Sequence, residues 1–162
     1  MKLKKGDALP QGELFYLEKN KTVKKISIDL LFNNQKVIMF GLPGAFTTVC
    51  SSKHLPGFIK NYEEIKKKGI TKIICISVND PFVMEAWGKA HNAGDKILMA
   101  GDPFCKFIKD IGADVDKSER GLGIRSSRFT MLVENSIIKE IKEEKDTASC
   151  EISAAENFLK EI

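Results

Sequence analysis

The chain predicts an α/β fold with a mixed central β-sheet flanked by helices. Three observations carry this. Apolar runs at 36–41 and 71–78, the second rich in β-branched residues, read as strands buried in a sheet. Amphipathic or capped helical stretches follow each run, giving the strand–helix alternation of a layered α/β domain. The chain of 162 residues, 43% of them hydrophobic, is long enough for a sizeable core in one domain spanning 1–162.

The elements follow in order. Residues 13–17 and 23–28 read as a hairpin around Glu18 to Lys21. Lys36-Val37-Ile38-Met39-Phe40-Gly41 is a strand running into the turn residues Pro43 and Gly44. Residues 49–68 are helical, with an interruption near Pro56-Gly57. Phe58, Ile59, Tyr62 and Ile65 share one face there, and lysines take the other. Thr71 to Val78 is a strand; Asp80 then caps a helix with Pro81 at its first position, running to about His91. Lys96 to Ala100 reads as a strand, and Phe104 to Ile111 as a helix ended by Gly112. Asp114 to Ser127 reads as loop and turn. Phe129–Val133 and Ile137–Glu143 form a hairpin around Glu134-Asn135-Ser136. Ser153 caps a last helix over 154–161, with Glu156 completing a capping box.

Composition excludes several function classes. No apolar run approaches membrane-spanning length. The basic start, Met1-Lys2-Leu3-Lys4-Lys5, lacks the apolar stretch of a secretory signal, which leaves a cytoplasmic protein or one trimmed of an organellar presequence. The net charge of +4 is modest, and lysines interleave with acids along 60–68 and 139–145, as on solvated faces rather than a nucleic-acid patch. Four cysteines with no C-x-x-C pair are too sparse for a disulfide scaffold and suggest a reducing compartment.

One of those cysteines sits where chemistry is expected. Cys50 ends the stretch Pro43-Gly44-Ala45-Phe46-Thr47-Thr48-Val49-Cys50, between a strand and a helix. The first turn of a helix offers free N–H groups and partial positive charge, and both favour a thiolate, the reactive form. Pro43 fixes the direction of the loop, and Gly44 permits close backbone approach. With Thr47 opening the helix, its hydroxyl lies within one turn of Cys50 and can donate to the sulfur or to an oxygen bound there.

The spacing proline, three residues, threonine, two residues, cysteine resembles the signature of the peroxiredoxins. Further blocks narrow the resemblance to the type II, peroxiredoxin-five-like subfamily: Gly41-Leu42-Pro43-Gly44-Ala45-Phe46-Thr47, His54-Leu55-Pro56-Gly57-Phe58, Ser77-Val78-Asn79-Asp80-Pro81-Phe82-Val83, Ala86-Trp87-Gly88-Lys89 and Arg128-Phe129-Thr130-Met131. It runs from about Gly6 to the C-terminus. It implies a thioredoxin-like fold and a thiol-dependent peroxidase acting on hydrogen peroxide and organic hydroperoxides, with no metal, haem or nucleotide. It also implies glutathione with glutaredoxin, or thioredoxin, as reductant, and a homodimer.

Peroxide reduction needs a thiolate, an in-line peroxide and donors for both oxygens. Cys50 supplies the sulfur, Thr47 orients an oxygen, and Pro43 shields the sulfur from water. The resemblance places the cation at Arg128, with Arg120 and Arg125 as solvated or structural neighbours. Oxidised Cys50 is then reduced by an external thiol alone, by Cys75, or by Cys150. Cys75 matches the resolving position of plant-like members but lies mid-strand. Cys150 lies near that of animal-like members but about two residues early. Cys105 reads as a helix core residue. Phe46, Phe82 and Trp87 read as core, pocket mouth or dimer surface. His54, four residues after Cys50, raises a rival reading as a Cys–His acyl hydrolase; as a structural or subunit-contact residue it leaves the peroxidase reading intact. A redox-sensing binding protein that uses Cys50 only as a switch is the other rival.

Overall fold

Seven strands form one mixed sheet in the spatial order Val23–Ser27, Glu13–Leu17, Leu98–Gly101, Lys72–Ser77, Lys36–Gly41, Phe129–Glu134 and Ile137–Glu143. The computed structural model describes all residues, Met1–Ile162. β1 (Glu13–Leu17) and β2 (Val23–Ser27) make the expected hairpin, and β3 (Lys36–Gly41), β4 (Lys72–Ser77) and β5 (Leu98–Gly101) run parallel at the centre. β8 (Phe129–Glu134) and β9 (Ile137–Glu143) add antiparallel beside β3. Asn135 and Ser136 turn that hairpin with positive φ at both positions, as a tight primed turn requires.

Strand alternation divides the core. Ile38, Phe40, Ile73 and Cys75 point to one face of the sheet, where they meet Cys50, Leu55, Phe58, Trp87 and Phe158. Val37, Met39, Ile74 and Ile76 point to the other, against Phe32, Phe107 and Ile108. The helices α2 (Leu55–Lys60), α3 (Tyr62–Lys67), α4 (Pro81–Ala90) and α6 (Ala155–Phe158) cover the first face. The helices α1 (Ile28–Phe32) and α5 (Lys106–Asp110) cover the second. This three-layer arrangement is the thioredoxin-like fold expected.

Several elements differ from expectation. Ile28 opens α1 instead of extending β2, because Ser27 accepts from the Leu30 N–H and caps it. The stretch 114–127 is no plain loop: β6 (Asp114–Asp116) and β7 (Ile124–Ser126) pair antiparallel. Residues 94–96 form a 3₁₀ turn, so β5 begins later than read. Gly112, at φ +67°, does end α5. Cys105 is a core residue, as read, but it stands just before α5 rather than in it, in the left-handed conformation at φ 53°. Ser153 caps nothing, because its hydroxyl donates to Glu144 Oε1 at 2.8 Å, and α6 is only the short 155–158. Phe46 and Phe82 are not core; they are 58% and 57% exposed. Trp87 is fully buried.

Candidate active site

The helical stretch after Thr47 is wound in two ways. Residues Cys50–His54 form a π turn, in which the Leu55 N–H reaches back to the Cys50 carbonyl. Pro56 then sits in the first turn of α2, where its missing N–H costs least, and the break comes at Asn61 rather than at Pro56-Gly57. Phe40 of β3 pins this segment to the sheet: its ring stacks on Phe58 at 4.1 Å and lies 5.0 Å from the His54 ring. Trp87 of α4 holds it from the side, donating to Ser51 Oγ at 3.0 Å.

The loop entering the segment is tied to β4. Asn79 Oδ1 accepts from the Ala45 N–H at 3.0 Å and from the Ser77 hydroxyl at 2.8 Å, and Ser77 Oγ also donates to the Leu42 carbonyl. A Cβ at Gly44 would lie 2.9 Å from Arg125 Nη1, so a larger residue there would displace that guanidinium. Arg125 itself is structural: it donates to the carbonyls of Leu122 and Pro43. Thr47 precedes the helix, but its hydroxyl donates to the Gly44 carbonyl at 2.8 Å instead of capping. The N–H groups of Thr48, Val49 and Cys50 donate to no acceptor in the chain, as in the first turn of any helix.

Cys50 Sγ is buried and receives Arg128 Nη2 at 3.4 Å. Arg128 is only 1% exposed and stands at the start of β8. Its Nη2 also donates to the Thr147 carbonyl at 2.8 Å, and its Nη1 to His54 Nδ1 at 3.2 Å. No carboxylate pairs with it. Its Nε is the one buried side-chain polar atom in the protein without a partner. A pocket of about 440 Å³ opens here, lined by Pro43, Phe46, Thr47, Arg120, Arg128 and Thr147. A larger cavity of about 810 Å³ between β1, α4 and β5 contains neither cysteine nor arginine.

His54 is fully buried and neutral. Burial first, and the Arg128 charge second, depress its pKa to about 3, against a smaller opposing effect from the Ser153 carbonyl. Its hydrogen bonds fix the tautomer: Nε2–H donates to the Ser153 carbonyl at 3.2 Å, and Nδ1 accepts from Arg128. Both ring nitrogens are occupied, so His54 is no general base for Cys50, and the acyl-hydrolase reading loses its essential residue. Sequence reasoning took His54 as structural and missed that it orients Arg128; its spacing four residues after Cys50 was the available signal. Asn79 lies in the Ser77–Val83 block, but its bond to the loop was not read from it, and the Thr147 carbonyl left no sequence signal.

Of the other cysteines, Cys75 lies in the same core cluster as Cys50. All four are free thiols and buried. Burial pushes the thiol of Cys75 well up, and neighbouring Cys50 adds to this. Burial also raises Cys105 and Cys150; Asp102 adds at Cys105, while Arg128 partly offsets the rise at Cys150. None is poised as a thiolate. No group of three or more His, Cys, Asp or Glu side chains is placed to hold a metal ion.

A thioredoxin-like sheet presenting a cysteine beside a buried arginine at a strand-to-helix turn defines a thiol-redox class of protein. Comparison with known proteins narrows the class. The Redoxin family model matches residues 4–159. Peroxiredoxin-2D of Arabidopsis thaliana is 40% identical over 157 residues, covering 97% of this chain and 96% of the relative. Reduced Prx3 of Vibrio vulnificus, solved in complex with hydrogen peroxide, superposes with a TM-score of 0.92 at 38% identity over 98% of each chain. Peroxiredoxin 5 of Alvinella pompejana superposes with a TM-score of 0.80 at 33% identity, over 90% of this chain and 92% of that one. The chain belongs to the peroxiredoxins, in the type II group, and is a thiol-dependent peroxidase.

Proposed function

We propose that Cys50 is the peroxidatic nucleophile, with Arg128, Thr47 and Pro43 completing its site. The observation that carries this is the buried Arg128, which lacks a carboxylate and faces one group able to bear negative charge, Cys50 Sγ. A buried cation without a counter-charge is costly, and a thiolate supplies that charge. The thiolate attacks the terminal peroxide oxygen: an S–O bond forms, the O–O bond breaks, and hydroxide or alkoxide departs with the electron pair. Arg128 and the free N–H groups at the helix start donate to the two oxygens, and Thr47 Oγ1, whose own proton goes to the Gly44 carbonyl, accepts from the peroxide O–H. Pro43, buried at the pocket wall, keeps bulk water from the sulfur.

Hydrogen peroxide and organic hydroperoxides are the substrates in this reading. The Cys50 sulfenic acid condenses with an external thiol to a disulfide and water, and a second thiol releases Cys50. Glutathione with glutaredoxin, or thioredoxin, supplies these thiols. Burial of Cys75 and the raised thiol of Cys150 favour this route over an internal disulfide. The chain acts as one domain over 1–162 in a reducing, cytoplasmic compartment. It forms a homodimer in which Phe46 and Phe82 supply exposed apolar surface. No helix is long and apolar enough to cross a membrane.

The test is the mass of Cys50 after one equivalent of peroxide, with and without thiol, beside turnover of Cys50→Ser. A sulfenic acid or mixed disulfide at Cys50, and loss of turnover in a folded Cys50→Ser, are expected. A folded Cys50→Ser that turns over near the wild-type rate overturns the assignment. Slow oxidation without turnover favours the redox-switch alternative.

A further inference from the structure

The Arg128 guanidinium hangs on the segment 144–153, and that segment is closed by one side chain. Glu144 follows β9. Its N–H donates to the carbonyl of Arg128 itself at 2.9 Å, continuing the β8–β9 ladder. Its Oε1 accepts from the Glu151 N–H at 2.6 Å, the Ser153 N–H at 2.9 Å and the Ser153 hydroxyl at 2.8 Å. A single carboxylate oxygen thus gathers both ends of the segment. Two carbonyls within it orient the cation. Thr147 O accepts Nη2 directly. Ser153 O accepts from His54 Nε2 and from the Thr130 hydroxyl, and His54 Nδ1 accepts Nη1. Apart from the sulfur, every hydrogen-bond partner of the guanidinium is fixed by a carbonyl of this segment.

We propose that Glu144 is a positioning residue for the peroxidase reaction, aiming Arg128 at Cys50 through Thr147 and through the Ser153–His54 pair. The inference rests on the reading of Arg128 as the cation of the reaction. Glu144 does not line the pocket, and its side chain forms no hydrogen bond to Cys50 or to a pocket-lining residue. Its effect is therefore on direction, and it vanishes when Arg128 is gone.

The experiment is a double-mutant cycle on the full chain, read as the second-order rate of Cys50 oxidation by hydrogen peroxide. Glu144→Ala is expected to slow oxidation by about tenfold to a hundredfold, the scale of a misplacement of order 1 Å. Glu144→Gln keeps an acceptor oxygen and is expected to recover most of the rate. Adding Glu144→Ala to Arg128→Ala is expected to change the rate by less than about twofold, as for residues acting through one another. A wild-type rate in Glu144→Ala, or the same loss in both backgrounds, overturns the proposal. If Glu144→Ala does not fold, Ser153→Ala enters the same cycle; a loss confined to the Arg128 background supports the proposal, and any other result overturns it. A slow Arg128→Ala beside a fast Glu144→Ala sinks the proposal alone, whereas a wild-type rate in Arg128→Ala sinks the reading beneath it too.

Discussion

Arg128 and His54 act as a pair, and each makes the other intelligible. A neutral imidazole can accept from the guanidinium, whereas an imidazolium would repel it. Arg128→Ala is expected to slow Cys50 oxidation by about a hundred- to a thousandfold, the usual effect of losing one preorganised donor. Arg120→Ala should stay near wild type, since Arg120 is exposed at the pocket rim. Stopped-flow oxidation of both variants checks this. His54 sets a pH dependence of stability. Between pH 6.5 and about 3 the unfolded chain binds a proton at His54 that the folded chain refuses. Stability therefore falls as pH drops through that window, by on the order of 5 kcal/mol at its lower end, and is unaffected by His54 above pH 6.5. Denaturant unfolding at about pH 7 and about pH 4 should show a steeper loss in wild type than in His54→Gln. The proposed nucleophile and its loop were legible because Pro43, Thr47 and Cys50 are close in sequence. The partners of Arg128 were not: His54 is 74 positions from it, and Thr147 is presented by a backbone carbonyl that no side chain announces.

At the scale of elements, β3 and β8 bring the two halves of the site together, and Gly41 sets how closely. It lies opposite Phe129 in the β3–β8 pair, and a Cβ there would stand 2.1 Å from the Phe129 ring. Gly41→Ala should therefore cost about 1–3 kcal/mol through overpacking. It should also slow oxidation, because Phe129 adjoins Arg128; thermal unfolding and the oxidation rate test the two effects together. The central strands and α4 were readable from apolar runs and from Asp80-Pro81, whose cap forms as expected with bonds to the Phe82 and Val83 N–H groups. The β6–β7 pair was not, because each strand has three residues and too little alternation to register as a period. The capping box at Ser153 failed for a non-local reason: Glu144, across a loop, takes the hydroxyl that a local rule gives to the helix.

For the whole molecule, the placement of the thiols predicts the course of the cycle. A variant with alanine at Cys75, Cys105 and Cys150 should still turn over with glutathione and glutaredoxin, and peptide maps of oxidised wild type should show Cys50 adducts as the main product. A dominant Cys50–Cys75 disulfide, with turnover lost in Cys75→Ala, would instead require the π turn to open on every cycle. The solitary charge of Arg128 reaches further still. With Cys50 as the proposed thiolate, sulfur matches that cation in the reduced protein; a disulfide-capped sulfur is neutral and leaves it stranded in the interior. Uncoupling a buried pair on this pattern costs about 3 kcal/mol. In a chain of this size each kcal/mol moves the melting temperature by about 2–4 °C. Differential scanning calorimetry should therefore find the glutathione-capped protein melting several degrees below the reduced one. Catalytic history then becomes a thermal property: an enzyme waiting for its reductant is a softer object than one waiting for peroxide.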